Sequence, residues 1–251
     1  MNILLTNDDG IDGEGLTVFA ESLRGRTYHT VYVIAPDTNR SGVSQAISFL
    51  SNPLRLDKHG PDTWACSGTP ADCVMLGVMG ALPVKPDIVV SGINAGANIG
   101  TDILYSGTAG AARQAGLYRI PGIALSLAGK APFCWQETAN FAADHLEEFA
   151  GMWREDLFIN VNMPNIPHFK GMISTFPCIR RYKDSLEIFT SQDGRVCCFV
   201  NFGDLTGKPE EGSDGDAIAQ GLVSVSQIYI HPIVRQETGN APNYPGIALK
   251  P

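Results

Sequence analysis

From residue 2 to about residue 165, apolar runs of strand length alternate with segments of helical period. NILLT (2–6) is a compact apolar run and predicts a short buried strand. In GLTVFAESLRG, Leu16, Phe19, Ala20 and Leu23 recur at helical spacing, and Gly25 supplies a stop. TVYVIAP (30–36) predicts a second strand, closed by Pro36 and followed by the polar loop DTNRSGVS. TWACS (63–67) predicts another short strand. GTPADCVMLGVMGAL then opens a helix with Thr69 as N-cap, Pro70 at its first position and Asp72 in its first turn. In PDIVVSGIN (86–94), Ile88, Val89 and Val90 run without alternation, as in a strand covered on both faces. SGTAGAARQAGL predicts a helix capped by Ser106 or Thr108, and GIALSLA (122–128) a strand. QETANFAADHLEEFAGMW (136–153) reads as one amphipathic helix, and FINVNMP (158–164) as the last core strand.

Strands alternating with helices imply an α/β fold: a three-layer, Rossmann-like, mainly parallel sheet with helices on both faces. After Pro167 the pattern changes. Residues 173–203 carry β-type runs such as RVCCFVNF around the turn SQDG, which predicts a hairpin. GDAIAQGLVSVSQIYIHP adds a short helix and a strand, and the tail ETGNAPNYPGIALKP is rich in Pro, Gly and Asn. The expectation is one domain over 1–251, with an α/β core at 1–165 and a β-rich C-terminal extension at 166–251.

Composition narrows the ligand more than the fold. A 44% hydrophobic content over 251 residues suffices for a sizeable core. The net charge is −8, and the longest basic run is the pair Arg180-Arg181. Both facts weigh against a duplex nucleic acid or a membrane surface as partner. A small anionic ligand stays compatible, because backbone dipoles or a metal ion reverse the field locally. The N-terminus lacks a signal-peptide pattern, and no apolar run reaches the ~18 residues of a membrane span, so a cytoplasmic protein is expected. The six cysteines form no CxxC pair and no zinc spacing. Reduced, mostly buried thiols are expected.

Ligands of open α/β sheets bind beyond the carboxyl ends of the strands. Asn7, Asp8, Asp9 and Gly10 follow the first strand, and Asn39, Arg40, Ser41 and Gly42 the second. Asn94 and Asn98 lie among glycines 92, 96 and 100, and YSGT (105–108) opens the next helix. Two carboxylates about 4 Å apart repel by roughly 4 kcal/mol at an effective dielectric near 20. A cation between Asp8 and Asp9 turns that repulsion into coordination, and Gly10 lets the turn tighten. The loops offer oxygen but neither histidine nor cysteine, which points to a hard ion such as Mg²⁺ or Mn²⁺. Ser41 and Asn94 could add neutral oxygens. YSGTAGAA suits an anion: N–H groups at a helix start face a phosphate, with Ser106 and Thr108 adding hydroxyls.

Other motifs carry less. The five histidines lie outside these loops, which argues against a Ser-His-Asp triad or a phosphohistidine. DGDAI (214–218) lacks a preceding apolar strand and reads as a helix start. CSGTPADC reads as a turn and helix cap.

These elements, in this order, resemble the SurE family of stationary-phase survival nucleotidases. The shared segments are ILLTNDDG, APDTNRSG, GTPADCV, PDIVVSGINAGANIGTDILYSGTAGAA and, more loosely, GDAIAQGLVSVSQI. The resemblance implies a metal-dependent phosphatase acting on nucleoside 5′- or 3′-monophosphates. It implies one Mg²⁺ or Mn²⁺ per subunit on Asp8, Asp9, Ser41 and Asn94, with Asp8 and Asp9 as the catalytic pair. Asn98, Ser106, Gly107 and Thr108 would bind the phosphate. It also implies a homodimer or homotetramer joined through the C-terminal β elements. Residues 175–212 depart from the family pattern, as do Ser213 and the pair Gln227-Ile228; these bear on base preference and assembly. Two other readings share the acid pair: a catalytically silent nucleotide-binding protein, and a receiver-like phospho-acceptor. A receiver needs a further aspartate after the third strand and a lysine after the fifth; Ser67-Gly68 and a displaced Lys130 stand there.

Overall fold

The computed structural model describes residues 1–232. Its centre is a nine-stranded sheet. Six neighbouring strands form its continuous parallel part: β1 (Asn2–Thr6), β2 (Thr30–Pro36), β4 (Thr63–Cys66), β5 (Ile88–Ala95), β6 (Gly122–Ala128) and β7 (Leu157–Pro164). Their spatial order is β4-β2-β1-β5-β6-β7. The order reverses direction at β1, so the loops after β1, β2 and β5 meet at one edge, where open α/β sheets hold ligands.

Two helix layers cover the sheet. α1 (Glu14–Arg24), α4 (Trp135–Asp144) and α5 (Leu146–Gly151) bury Leu16, Phe19, Leu23, Leu146 and Phe149 against one face. α2 (Pro70–Leu76) and α3 (Gly107–Leu117) bury Val74, Ala111 and Ala115 against Leu4, Ile34 and Val89 on the other. The three-layer α/β arrangement predicted from periodicity is the one observed. The capping box of α2 is present: Thr69 Oγ1 accepts from Asp72 N–H at 3.2 Å, and Asp72 Oδ2 accepts from Thr69 N–H at 2.9 Å. All six cysteines are free, with Cys66, Cys73 and Cys178 buried. Among the described residues no helix is long and apolar enough to cross a membrane.

The sheet corrects two expectations. FINVNMP is not the last core strand. β7 is buried along its whole length, and an edge strand so buried needs cover. That cover comes from the extension: β11 (Val223–Tyr229) pairs antiparallel with β7, and β8 (Met172–Thr175) joins β11 in parallel. The buried hydroxyls of Ser224 and Ser226 are satisfied by Thr175 Oγ1, at 2.8 and 2.7 Å. β3 (Leu56–Gly60) was not expected, because LDKHG is an exposed, charged edge strand without apolar periodicity.

The helix expected over 136–153 is two helices. It breaks at His145, which leaves the helical region at ψ 7° while its ring stacks on Phe141 and Nδ1 lies 2.9 Å from Phe141 O. The helix expected from Thr69 to Leu82 narrows to α2 and a wider turn over Gly77–Ala81, where two glycines weaken helical preference. The predicted hairpin is present as β9 (Ser185–Thr190) and β10 (Val196–Asn201), a separate two-stranded sheet closed by SQDG. The predicted short helix is α6 (Asp214–Ala219). The Pro-, Gly- and Asn-rich tail lies outside the described residues.

Candidate functional site

The site begins where β1 ends. Asn7 fixes the turn: Nδ2 donates to Gly10 O at 2.8 Å, and Oδ1 accepts from Gly10 N–H at 3.2 Å. Gly10 adopts φ +106°, a conformation side chains resist, so the chain reverses within DDG as the sequence suggests. Arg40 N–H donates to Asp8 O at 2.7 Å and ties the loop after β2 to the same turn. Ala95 N–H, at the end of β5, donates to Asp9 Oδ2 at 3.2 Å. A register shift between Ser91 and Asn94 interrupts the β5–β6 pairing just before the loop that carries Asn98.

These contacts gather the expected residues. Asp8, Asp9, Ser41, Asn94, Asn98 and Ser106 line one hollow of about 300 Å³. Gly107 and Thr108 stand behind it. A side chain at Gly107 would begin 2.8 Å from Asp8 Cβ, so only glycine lets the α3 N-terminus rest on Asp8. Thr108 has a role the sequence did not suggest. It is fully buried, and its hydroxyl, expected to face a phosphate, donates to Asp8 Oδ1 at 2.6 Å. Ser106, not Thr108, caps α3 and accepts from Ala109 N–H at 3.0 Å. A larger groove of about 680 Å³ lies between α1 and the β2–β4 edge and contains none of these residues.

The two carboxyls are under electrostatic load. Burial pushes Asp8 above the ordinary carboxylate range; the Thr108 hydroxyl pulls it back, and the charge of Asp9 adds to the rise. Burial also raises Asp9, against the bond from Ala95 N–H. Among the described residues no lysine, arginine or histidine lines the hollow. Asn94 Nδ2 donates to Gly96 O at 2.9 Å, which leaves its carbonyl oxygen for another partner.

Sequence reading missed the residues that hold the Asn98 loop. Asn98 N–H donates to Asn162 Oδ1 at 2.8 Å. Asn160 and Asn162 both donate to Asn98 O, at 2.8 and 3.0 Å. Asn98 Nδ2 donates to Ser126 Oγ at 2.9 Å. Two asparagines at alternate positions of the otherwise apolar FINVNMP were the available signal. Asp214, rightly read as a helix start, has a further role: its buried carboxylate accepts from Gly100 N–H at 2.6 Å and Cys178 N–H at 2.9 Å.

The family model described as "Survival protein SurE" matches residues 3–184. The chain belongs to the SurE family. It is 41% identical over 239 residues to the 5′-nucleotidase SurE of Geotalea daltonii, covering 92% of this chain and 93% of that one. It is 38% identical over 250 residues to the 5′-nucleotidase SurE of Acinetobacter baumannii strain AYE, covering 91% and 93%. The crystal structure of the SurE protein from Aquifex aeolicus superposes with a TM-score of 0.81 at 35% identity, covering 93% of this chain and 95% of that one. The family match ends just before β9, so the hairpin and α6 lie beyond it.

Proposed function

We propose that this SurE-family chain is a metal-dependent phosphatase that hydrolyses nucleoside 5′-monophosphates, and 3′-monophosphates by the same chemistry, to nucleoside and phosphate. The observation that carries the reading is the hollow itself: a buried carboxylate and a half-buried one, mutually repelling, face the start of α3, and among the described residues no basic side chain lines it. A phosphate dianion entering such a hollow is repelled unless a cation comes with it.

The donor set fits a hard divalent ion, Mg²⁺ or Mn²⁺. Asp8 and Asp9 bring charge, and Asn94 and Ser41 bring neutral oxygens. Among the described residues no three His, Cys, Asp or Glu side chains cluster, so the remaining coordination falls to amide and hydroxyl oxygens and water. Bound there, the ion supplies polarisation of a phosphoryl oxygen and activation of water near neutral pH. The chain's own groups do the rest. Ser106 and the first N–H groups of α3 seat the phosphate, where the helix dipole stabilises charge on its oxygens. Asn98, fixed by Asn160 and Asn162, borders that seat. Thr108 holds Asp8 in one orientation as a ligand. Asp9 is less buried and is assigned to orient the attacking water and take its proton. Attack by Asp8 itself, through a phospho-aspartate, is the minor variant and is distinguished by trapping a phospho-enzyme.

The hairpin supports self-association as a homodimer or homotetramer. Leu186, Ile188, Val196, Cys198 and Val200 share one exposed face of β9–β10 with Thr190, and these five are apolar.

A panel of 5′- and 3′-nucleoside monophosphates, assayed for phosphate release with Mg²⁺ or Mn²⁺, tests the reading. Release from the 5′ series is expected. Binding of the nucleotides without release would leave a silent nucleotide-binding protein.

A further inference from the structure

A second groove of about 740 Å³ opens beside the phosphate hollow, lined by Gly42, Thr101, Asp102, Tyr105, Arg180, Tyr182, Asp184 and Phe202. Gly42, Asp102 and Tyr105 line both, so the two are continuous. Tyr105 directly precedes Ser106, the cap of α3. An aromatic ring thus stands one residue from the phosphate seat. We propose that this groove binds the nucleoside end of the substrate, with Tyr105, Tyr182 and Phe202 as stacking surfaces for the base. The proposal rests on the phosphomonoesterase reading of the adjoining hollow.

The far wall is built before any ligand arrives. Arg180 Nη1 donates to Asp102 Oδ2 at 2.7 Å, and the Tyr182 hydroxyl donates to the same oxygen at 2.7 Å. The Arg180 guanidinium lies 5.4 Å from the centre of the Tyr182 ring, and Arg180 N–H donates to Thr101 Oγ1 at 2.9 Å. Burial and the bond to Asp102 push the Tyr182 hydroxyl up to about 12, so it stays a donor at neutral pH. The two roots of the hairpin are joined by Lys183 N–H to Asp204 O and Thr206 N–H to Arg181 O. Phe202 projects from the second root and is 84% exposed; Tyr105 is 64% exposed. Two aromatic rings left in water beside a phosphate seat are short of a partner, and stacking a base supplies one.

Charge selects the occupant. Arg180 is the groove's one basic residue among the described residues and is neutralised by Asp102, while Asp184 adds a negative charge. The groove therefore suits a neutral ribose and base better than further phosphates. Nucleoside monophosphates are favoured over di- and triphosphates, and base-free phosphate esters lose the stacking.

The test compares wild type, Phe202→Ala and Phe202→Trp. Phe202 is exposed, so neither substitution threatens folding. The readout is the ratio of kcat/KM for AMP to that for ribose 5-phosphate. Phe202→Ala is expected to lower the ratio about tenfold and Phe202→Trp to keep it. An unmoved ratio, or equal loss for both substrates, would overturn the proposal. Calorimetric titration with adenosine, against ribose, reads the groove without turnover. Adenosine binding weakened by Phe202→Ala supports the groove even if no phosphate is ever released, in which case only the hydrolase reading fails. Wild type indifferent to adenosine overturns the groove.

Discussion

At the scale of single residues, the site is an unfavourable charge arrangement held in place by backbone and one hydroxyl. Asp8 and Asp9 are carboxyls raised by burial, so the folded metal-free protein holds protons there that the unfolded chain releases. The sign follows: the stability these two groups contribute is full below the ordinary carboxylate pKa and is lost as pH rises through the raised values. Metal-free Asp8→Asn should therefore melt at a higher temperature than metal-free wild type at pH 7, with the gap closing towards pH 4. Differential scanning fluorimetry in chelator reads this, and an unchanged or lower melting temperature at pH 7 would contradict it. Thr108→Val keeps the shape and removes the donor to Asp8. Metal affinity should fall about 10- to 100-fold, measured by Mn²⁺ titration. If affinity is unchanged, Thr108 does not orient Asp8.

At the scale of elements, the strand ends carry the site and the neighbouring strands stiffen it. Asn162 bonds both the N–H and the C=O of Asn98 from β7. Asn162→Leu strands a buried N–H and should cost about 1–3 kcal/mol in urea unfolding, with kcat/KM falling as the loop loosens. Wild-type stability in the variant would show the clamp to be idle. Much of this was legible beforehand. Apolar runs without alternation marked the parallel strands, and polar loops after β1, β2 and β5 marked the hollow. Three kinds of feature were not legible. β3 is an exposed charged edge with no apolar rhythm to detect. Thr108 looks like a phosphate ligand until the fold brings Asp8, a hundred residues away in sequence, against it. The place of β11 beside β7 depends on a long-range pairing that local pattern does not encode.

At the scale of the whole molecule, the sheet gathers the chemistry and the hairpin faces outward. The apolar face of β9–β10 is long for a surface meant to stay in water. If the chain assembles through the hairpin as proposed, Ile188→Lys with Val200→Lys should shift it to monomer in light scattering, and an unaltered mass would remove the hairpin from the proposed interface. The net charge of −8 keeps polyanions at a distance and leaves recognition to the local field of the hollow. That field is the central claim, and one measurement meets it most directly. Phosphate release from AMP is followed in chelator, then with Mg²⁺ or Mn²⁺ restored, in wild type and Asp8→Asn side by side. The account predicts no release in chelator, full release on restoration and none from the variant. Turnover that survives either the chelator or the loss of Asp8 would contradict it.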